Sequence, residues 1–123
     1  HIIPWDCATH RLSRLIGKSN ALEMILTGQT INGEEAFRMG LINKLIKDEK
    51  VLPRVMEIAE QMAQKGPIAL KYTKEVVQKG MDLTMDQAMN LEADMYFLLH
   101  TSHDRTEGIK AFQEKREARF KGQ

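Results

Sequence analysis

Residues 66–120 read GPIALKYTKEVVQKGMDLTMDQAMNLEADMYFLLHTSHDRTEGIKAFQEKREARF, a run in which helix starts and helix stops alternate. Gly66-Pro67 separates two segments, because proline fits only the first turn of a helix. The phrases TMDQ (84–87) and DRTE (104–107) both have capping-box spacing, in which two side chains each satisfy an exposed backbone N–H of the other residue. These signals predict three helices, over residues 67–79, 84–99 and 104–120.

The first half of the chain carries similar signals. A face with six apolar side chains predicts an amphipathic helix over residues 51–65. Short helices are predicted over 9–16 and 20–26, and a third runs from the capping box NGEE (32–35) to Gly40. The phrase LINKLI (41–46) is the only candidate strand, and one strand forms no sheet alone. The expected fold class is therefore mostly α, with at most one short strand.

Composition excludes several classes of protein. The chain has 123 residues, of which 42% are hydrophobic and 28% charged, a globular balance. Eighteen Lys and Arg against 17 Asp and Glu give a net charge of +1, so we expect no nucleic-acid partner. A single cysteine, Cys7, excludes an internal disulfide and a cysteine-rich zinc site. No apolar run approaches the ~20 residues that span a bilayer, so we expect no membrane partner.

Residue types and spacings alone identify few candidates for a catalytic or binding site. His100 and His103 lie three apart, but no third ligand stands beside them, so no metal site is expected. Cys7 is best interpreted as a small buried hydrophobe. Five methionines at helical spacings fit either a core or an adaptable apolar interface. Residues 110–121 combine two phenylalanines with five cationic side chains, which suits a surface helix or a contact with a phosphate-bearing, base-containing ligand.

Four phrases, in this order and spacing, resemble the enoyl-CoA hydratase/isomerase (crotonase) family. They cover nearly the whole chain, and together they are specific where each alone is weak. The phrases are IIPxDxxTxRLxRLIG (2–17), ALEMILTG (21–28) running into EEAFRMGLINKLI (34–46), GPIALK (66–71), and DRTEGIKAF followed by EKR (104–116).

The resemblance implies one part of a crotonase-like fold, whose N-terminal part is a spiral of ββα units. Residues 1–46 would form the end of that core, with a loop, short helices and one short strand. Residues 47–123 would form the C-terminal helical oligomerisation region. In the family, the backbone N–H groups of the oxyanion hole and both glutamates lie upstream of the IIP phrase. We therefore expect a piece of a longer protein that is inactive alone.

The resemblance also implies a substrate and a partner. The substrate would be an acyl-CoA thioester, with no separate cofactor. The expected reaction is hydration of a 2-enoyl-CoA through an enolate, in a homo-oligomer that is a trimer or a dimer of trimers. The expected compartment is the cytoplasm of a bacterium, or the matrix of an organelle. The alternatives are a dienoyl-CoA isomerase, a cyclic-dienoyl-CoA hydratase, and a non-catalytic helical association module.

Four residues carry the expected site. The family's phrase Pro-Gly-x-Gly-Gly-Thr-Gln-Arg-Leu stands here as PWDCATHRL (4–12), which places Trp5 where glycine lines the acyl pocket. Asp6 falls where a dienoyl-CoA isomerase branch has a catalytic carboxylate, although a loop or N-cap role also fits it. Phe112 and Lys115 match positions in the last helix that approach the CoA of a neighbouring subunit.

Overall fold

A computed structural model describes residues 3–5 and 7–123, and this part of the chain contains helices and no strand. The predicted fold class, mostly α, is confirmed. None of these helices is long and apolar enough to cross a membrane. The helices are α1 (Ala8–Ile16), α2 (Lys18–Thr27), α3 (Gly33–Arg38), α4 (Asp48–Ala63), α5 (Pro67–Gly80), α6 (Met85–His100) and α7 (His103–Glu114).

Two of the three predicted capping boxes are present. Asn32 accepts a hydrogen bond from the Glu35 N–H at 2.9 Å, while the Glu35 carboxylate accepts one from the Asn32 N–H at 3.1 Å. Thr84 and Gln87 form the same reciprocal pair at the start of α6. These local bonds satisfy N–H groups that a helix start otherwise leaves open, which is why α3 and α6 begin where the sequence predicts.

The chain divides into two compact units, His1–Val51 and Leu52–Gln123. In the first unit, α1 packs on α2, and Ile16 and Ala21 are buried. Helix α1 follows Cys7, which has a left-handed backbone and an exposed side chain, so the interpretation of Cys7 as a buried hydrophobe is wrong.

The predicted short strand at 41–46 is not formed. This segment consists of bends and irregular chain. The N–H groups of Leu41 and Ile42 both donate to the Ala36 carbonyl oxygen and so close the end of α3. Leu45 covers Gly33, since a Cβ built on that glycine would lie 2.7 Å from the Leu45 Cδ1 atom. Strand pairing needs a neighbouring strand, and the described part of the chain offers none.

In the second unit, α5 and α6 form a helical hairpin, and α7 packs on α6. The short turn 81–84 joins the two helices of the hairpin, and close packing begins at Gly80, where a Cβ would lie 3.6 Å from the Ala88 Cβ. Helix α7 starts at the N-cap Ser102, whose hydroxyl accepts the Arg105 N–H at 3.2 Å. The prediction that Asp104 begins this helix with a capping box is wrong, because Ser102 takes that role two residues earlier.

Candidate functional site

The last eight residues, 116–123, fold back along α7 and are called the C-terminal strap here. The prediction of a helix to Phe120 is wrong, since α7 ends at Glu114 and Lys115 adopts a left-handed backbone with φ 53°. The N–H groups of Lys115 and Arg116 still donate to the Ala111 carbonyl oxygen, which closes the helix end. The strap then runs toward the start of α7.

Asp104 holds the far end of the strap. Its two carboxylate oxygens accept hydrogen bonds from the N–H groups of Lys121 and Gly122, each at 2.7 Å. The Asp104 N–H donates to the Gln123 carbonyl oxygen at 3.2 Å. Asp104 is only 4% exposed. A buried carboxylate needs such partners, because an unsatisfied buried charge is costly.

Glu107 holds the near end of the strap. Its carboxylate oxygens accept two hydrogen bonds from the Arg116 guanidinium, at 2.6 Å and 3.0 Å, and one from the Arg119 N–H at 2.8 Å. These hydrogen bonds lower the pKa of Glu107 to about 2, and the bond from Arg116 has the larger effect. Hydrogen bonds to Glu107 and then Glu114 raise the pKa of Arg116. The arrangement is a bidentate ion pair, which fixes the direction of the arginine as well as its charge.

An apolar groove of about 450 Å³ lies beside the strap. The Phe120 ring forms one wall, and a Cβ built on Gly66 or Gly108 would lie 3.6 Å or 3.5 Å from a ring carbon. Phe112 also lines the groove. Because Phe120 leaves the helix and packs between α5 and α7, it contributes to the interior of this unit rather than to a helix surface.

Phe112 lies in the last turn of α7, and Lys115 follows it at the C-cap of the same helix. Phe112 is 86% exposed, and the Lys115 N–H donates to the Phe112 carbonyl oxygen at 3.3 Å. Within the part of the chain that the structure describes, no ion pair occupies the Lys115 ammonium. An exposed aromatic face next to an open cation is suited to a ligand that carries both a base and a phosphate.

The other two predicted site residues precede α1 in the sequence. Trp5 lies in the loop before α1 and is 89% exposed. Asp6 lies outside the described residues, so its predicted role stays a prediction. Residues 3–5 and 7–123 contain no cluster of three or more potential metal-ligating side chains.

Sequence reasoning missed the part that Asp104 and Glu107 play in holding the strap. The phrase DRTEG (104–108) predicts a structural role, with a cap, an ion pair and a close approach of helices. The ion pair is present between Glu107 and Arg116, but the group that approaches Gly108 is the Phe120 ring. The available signal was the spacing of two carboxylates one turn apart, followed by the cationic phrase EKR (114–116).

Comparison with known proteins gives a consistent result. The sequence model of the family described as enoyl-CoA hydratase/isomerase matches residues 2–123. The chain is 41% identical over 119 residues to a crotonyl-CoA hydratase of Syntrophomonas wolfei, covering 97% of this chain and 46% of that protein. It is 36% identical to a mitochondrial enoyl-CoA hydratase of Pongo abelii, covering 98% of this chain and 42% of that protein.

The solved structures agree with the sequences. The chain superimposes on the crystal structure of an enoyl-CoA hydratase from Bacillus anthracis with a TM-score of 0.96 and 37% identity, covering 99% of this chain and 47% of that one. The chain thus spans less than half the length of these relatives. A match of the family model over residues 2–123 is decisive, and the chain belongs to the enoyl-CoA hydratase/isomerase family.

Proposed function

We propose that this chain forms part of an enzyme that hydrates a 2-enoyl-CoA thioester. The observation that carries the proposal is the 41% identity to a crotonyl-CoA hydratase over 97% of the chain. In the proposed reaction water adds across the C2–C3 double bond, with hydroxyl bonding to C3 and a proton to C2. The electron pair of the double bond passes through the thioester enolate. Coenzyme A enters as part of the substrate, and the reaction needs no further cofactor.

The part of the site that this chain supplies is a contact with coenzyme A. Phe112 presents an exposed ring on which an adenine can stack, and Lys115, three residues later, supplies a cation at the helix end. Base stacking on an aromatic ring and a phosphate contact with a cation are compatible at this spacing. This pair of side chains supports the proposed binding of a CoA thioester.

The chemistry itself is proposed to depend on residues that this chain does not contain. Family resemblance assigns enolate stabilisation to two backbone N–H groups and the handling of water to two glutamates, all upstream of the phrase IIP. Preorganised N–H donors are usually the largest single contribution to such catalysis. The 123-residue chain alone should therefore bind CoA weakly and turn over no enoyl-CoA.

The chain is also proposed to contribute subunit contacts in a homo-oligomer, a trimer or a dimer of trimers. Helix α6 carries an exposed apolar stripe, defined here as Met85, Met89, Ala93, Tyr96 and Phe97. Helix α4 contains no buried residue, although one of its faces is apolar. Exposed apolar surfaces of this kind mark interfaces more often than solvent-facing surface.

The test uses crotonyl-CoA and the purified chain. Turnover is followed by loss of the ultraviolet absorbance of the conjugated thioester, and CoA binding by nuclear magnetic resonance (NMR) titration of the labelled chain. Binding without turnover is expected, and Phe112→Ala together with Lys115→Ala should abolish it. Turnover by the chain alone would contradict the proposal that the catalytic groups lie outside this chain. Absence of CoA binding would favour the non-catalytic helical association module.

A second candidate function within the family is favoured by Trp5. Glycine stands at this position in the family's phrase, and the Trp5 side chain is 89% exposed in its loop, where it is available to line an acyl pocket. A large ring there favours a dienoyl-CoA isomerase or a cyclic-dienoyl-CoA hydratase. Assay of dienoyl-CoA substrates on a complete enzyme carrying this chain distinguishes the two candidates, since a plain hydratase would prefer crotonyl-CoA.

The same relatives support a proposed compartment. We propose the cytoplasm of a bacterium, in keeping with the Syntrophomonas wolfei relative. The matrix of an organelle is the alternative, in keeping with the mitochondrial relative of Pongo abelii. Fractionation of the source cells, followed by immunodetection of the chain, separates the two.

A further inference from the structure

Helix α7 ends earlier than its local sequence favours. Residues 111–120, AFQEKREARF, contain neither glycine nor proline and consist mostly of good helix formers. Local preference therefore favours a helix to Phe120. The structure instead ends the helix at Glu114 and places Lys115 in a left-handed conformation, which a residue with a Cβ adopts only at a cost. Interactions distant in sequence must stabilise this ending.

The side-chain hydrogen bonds that hold the strap along α7 centre on two carboxylates. Asp104 and Glu107 lie three residues apart on α7 and so share one face of the helix. Between them they accept hydrogen bonds from the N–H groups of Arg119, Lys121 and Gly122 and from the Arg116 guanidinium. In a helix continued to Phe120, those N–H groups would bond to carbonyl oxygens four residues earlier and could not reach the two carboxylates.

We propose that Glu107 is a positioning residue for the CoA contact. By holding Arg116 and the Arg119 N–H, its carboxylate keeps Lys115 in the left-handed conformation and so sets the direction of the Lys115 ammonium beside Phe112. Asp104 supports the same arrangement by holding the far end of the strap. This inference rests on the proposed function, because the proposed function makes CoA the ligand of Lys115.

Glu114 provides a matched comparison within the same cluster. Its carboxylate also bonds to Arg116, at 2.6 Å to the Nε atom, and lies 4.0 Å from the Lys110 ammonium. It makes no bond to the backbone of the strap among the contacts of residues 3–5 and 7–123. Loss of its charge should therefore leave the strap and Lys115 in place, whereas loss of the Glu107 charge should not.

The first arm of the test needs no ligand. NMR spectra of the 123-residue chain are compared for the wild type, Glu107→Gln and Glu114→Gln. In E107Q the Lys115 Cα shift should move from left-handed toward helical values, and the Arg119 amide proton should exchange faster, because Glu107 accepts its hydrogen bond in the wild type. In E114Q both should stay as in the wild type. Unchanged signals in E107Q would overturn the inference whatever the ligand does.

The second arm titrates the same proteins with CoA, together with Lys115→Ala and the double variant E107Q/K115A. One exposed charge contact corresponds to roughly a 3- to 5-fold change in affinity. K115A and E107Q should each weaken binding by about that factor. The double variant should be no weaker than K115A alone, because Glu107 acts through Lys115.

The outcomes separate the two claims. If K115A binds CoA as the wild type does, or if the wild type shows no binding, the proposed CoA contact fails and the positioning role falls with it. If K115A weakens binding but E107Q does not, only the positioning role fails. Additive losses in the double variant would also overturn it, since Glu107 would then act independently of Lys115.

Discussion

The ionisation of Glu107 links one side chain to the stability of the strap. Its pKa of about 2 lies below the ordinary value of 4.5, because hydrogen bonds from Arg116 and the Arg119 N–H favour the charged form. Between these two values the unfolded chain binds the proton more tightly than the folded chain. The stabilising contribution is therefore complete above 4.5 and is lost as the pH falls toward 2.

This difference predicts a pH-dependent stability that one substitution removes. As the pH is lowered from about 5 to about 2, the free energy of unfolding should fall more steeply for the wild type than for Glu107→Gln. Urea denaturation at several pH values measures both slopes. Glu34→Gln, which replaces an exposed carboxylate on α3, is the control for removal of a carboxylate elsewhere in the chain. Equal slopes for wild type and E107Q would contradict the role given to this carboxylate.

Asp104 shows the limit of residue-level prediction. Ser102 and Asp104 are both good N-cap residues, and spacing to Glu107 favours Asp104. The choice is decided by the N–H groups of Lys121 and Gly122, which lie 17 and 18 positions farther along the chain. A local pattern contains no information about such partners. The ion pair was foreseeable from charge alone, but the strap was not.

At the scale of single elements, helix boundaries that neighbouring residues set were predictable, and the end of α7 was not. Capping boxes are formed by neighbouring residues, so Asn32 and Thr84 begin α3 and α6 as the sequence predicts. The end of α7 depends on the strap and was placed six residues too late. The predicted strand at 41–46 failed for a related reason, because Leu45 covers Gly33 and the described part of the chain holds no strand with which it could pair.

The Asn32 cap should be a large part of what keeps α3 formed. This helix has only six residues, and a helix that short has little intrinsic stability. Asn32→Ala should destabilise it by about 1 kcal/mol. The measurement is hydrogen exchange of the Glu35 amide, which donates its hydrogen bond to the Asn32 side-chain oxygen. Gln29→Ala, an exposed substitution in the preceding loop, should change nothing, and equal exchange in the two variants would contradict the importance of the cap.

At the scale of the whole molecule, the sequence predicts which helix faces are apolar. It does not predict which surface covers each face. The methionines fitted either a core or an interface. In the described residues, Met56, Met62, Met85 and Met89 are all more than half exposed, so this chain alone does not use them as core. Periodicity identifies an apolar face because the helical repeat is local, whereas its partner is set by tertiary or quaternary contacts.

The apolar stripe of α6 should drive association of the chain with itself. Met85 is 75% exposed and Phe97 68%, and both belong to a continuous surface that includes a shallow groove of about 300 Å³. Burying one such side chain is worth about 1.5–3 kcal/mol. Replacing Met89 by Lys and Phe97 by Glu together should therefore weaken self-association by at least about tenfold.

Sedimentation velocity over a range of concentrations measures this effect. Asn90→Lys adds a charge to an exposed position of α6 outside the stripe, and it should associate as the wild type does. If it weakens association as much as the double variant, charge repulsion rather than the apolar stripe is responsible. If the wild type is monomeric at every concentration, the stripe does not by itself form a subunit contact. The far-ultraviolet circular dichroism of all three proteins must match, because only folded variants report on the stripe.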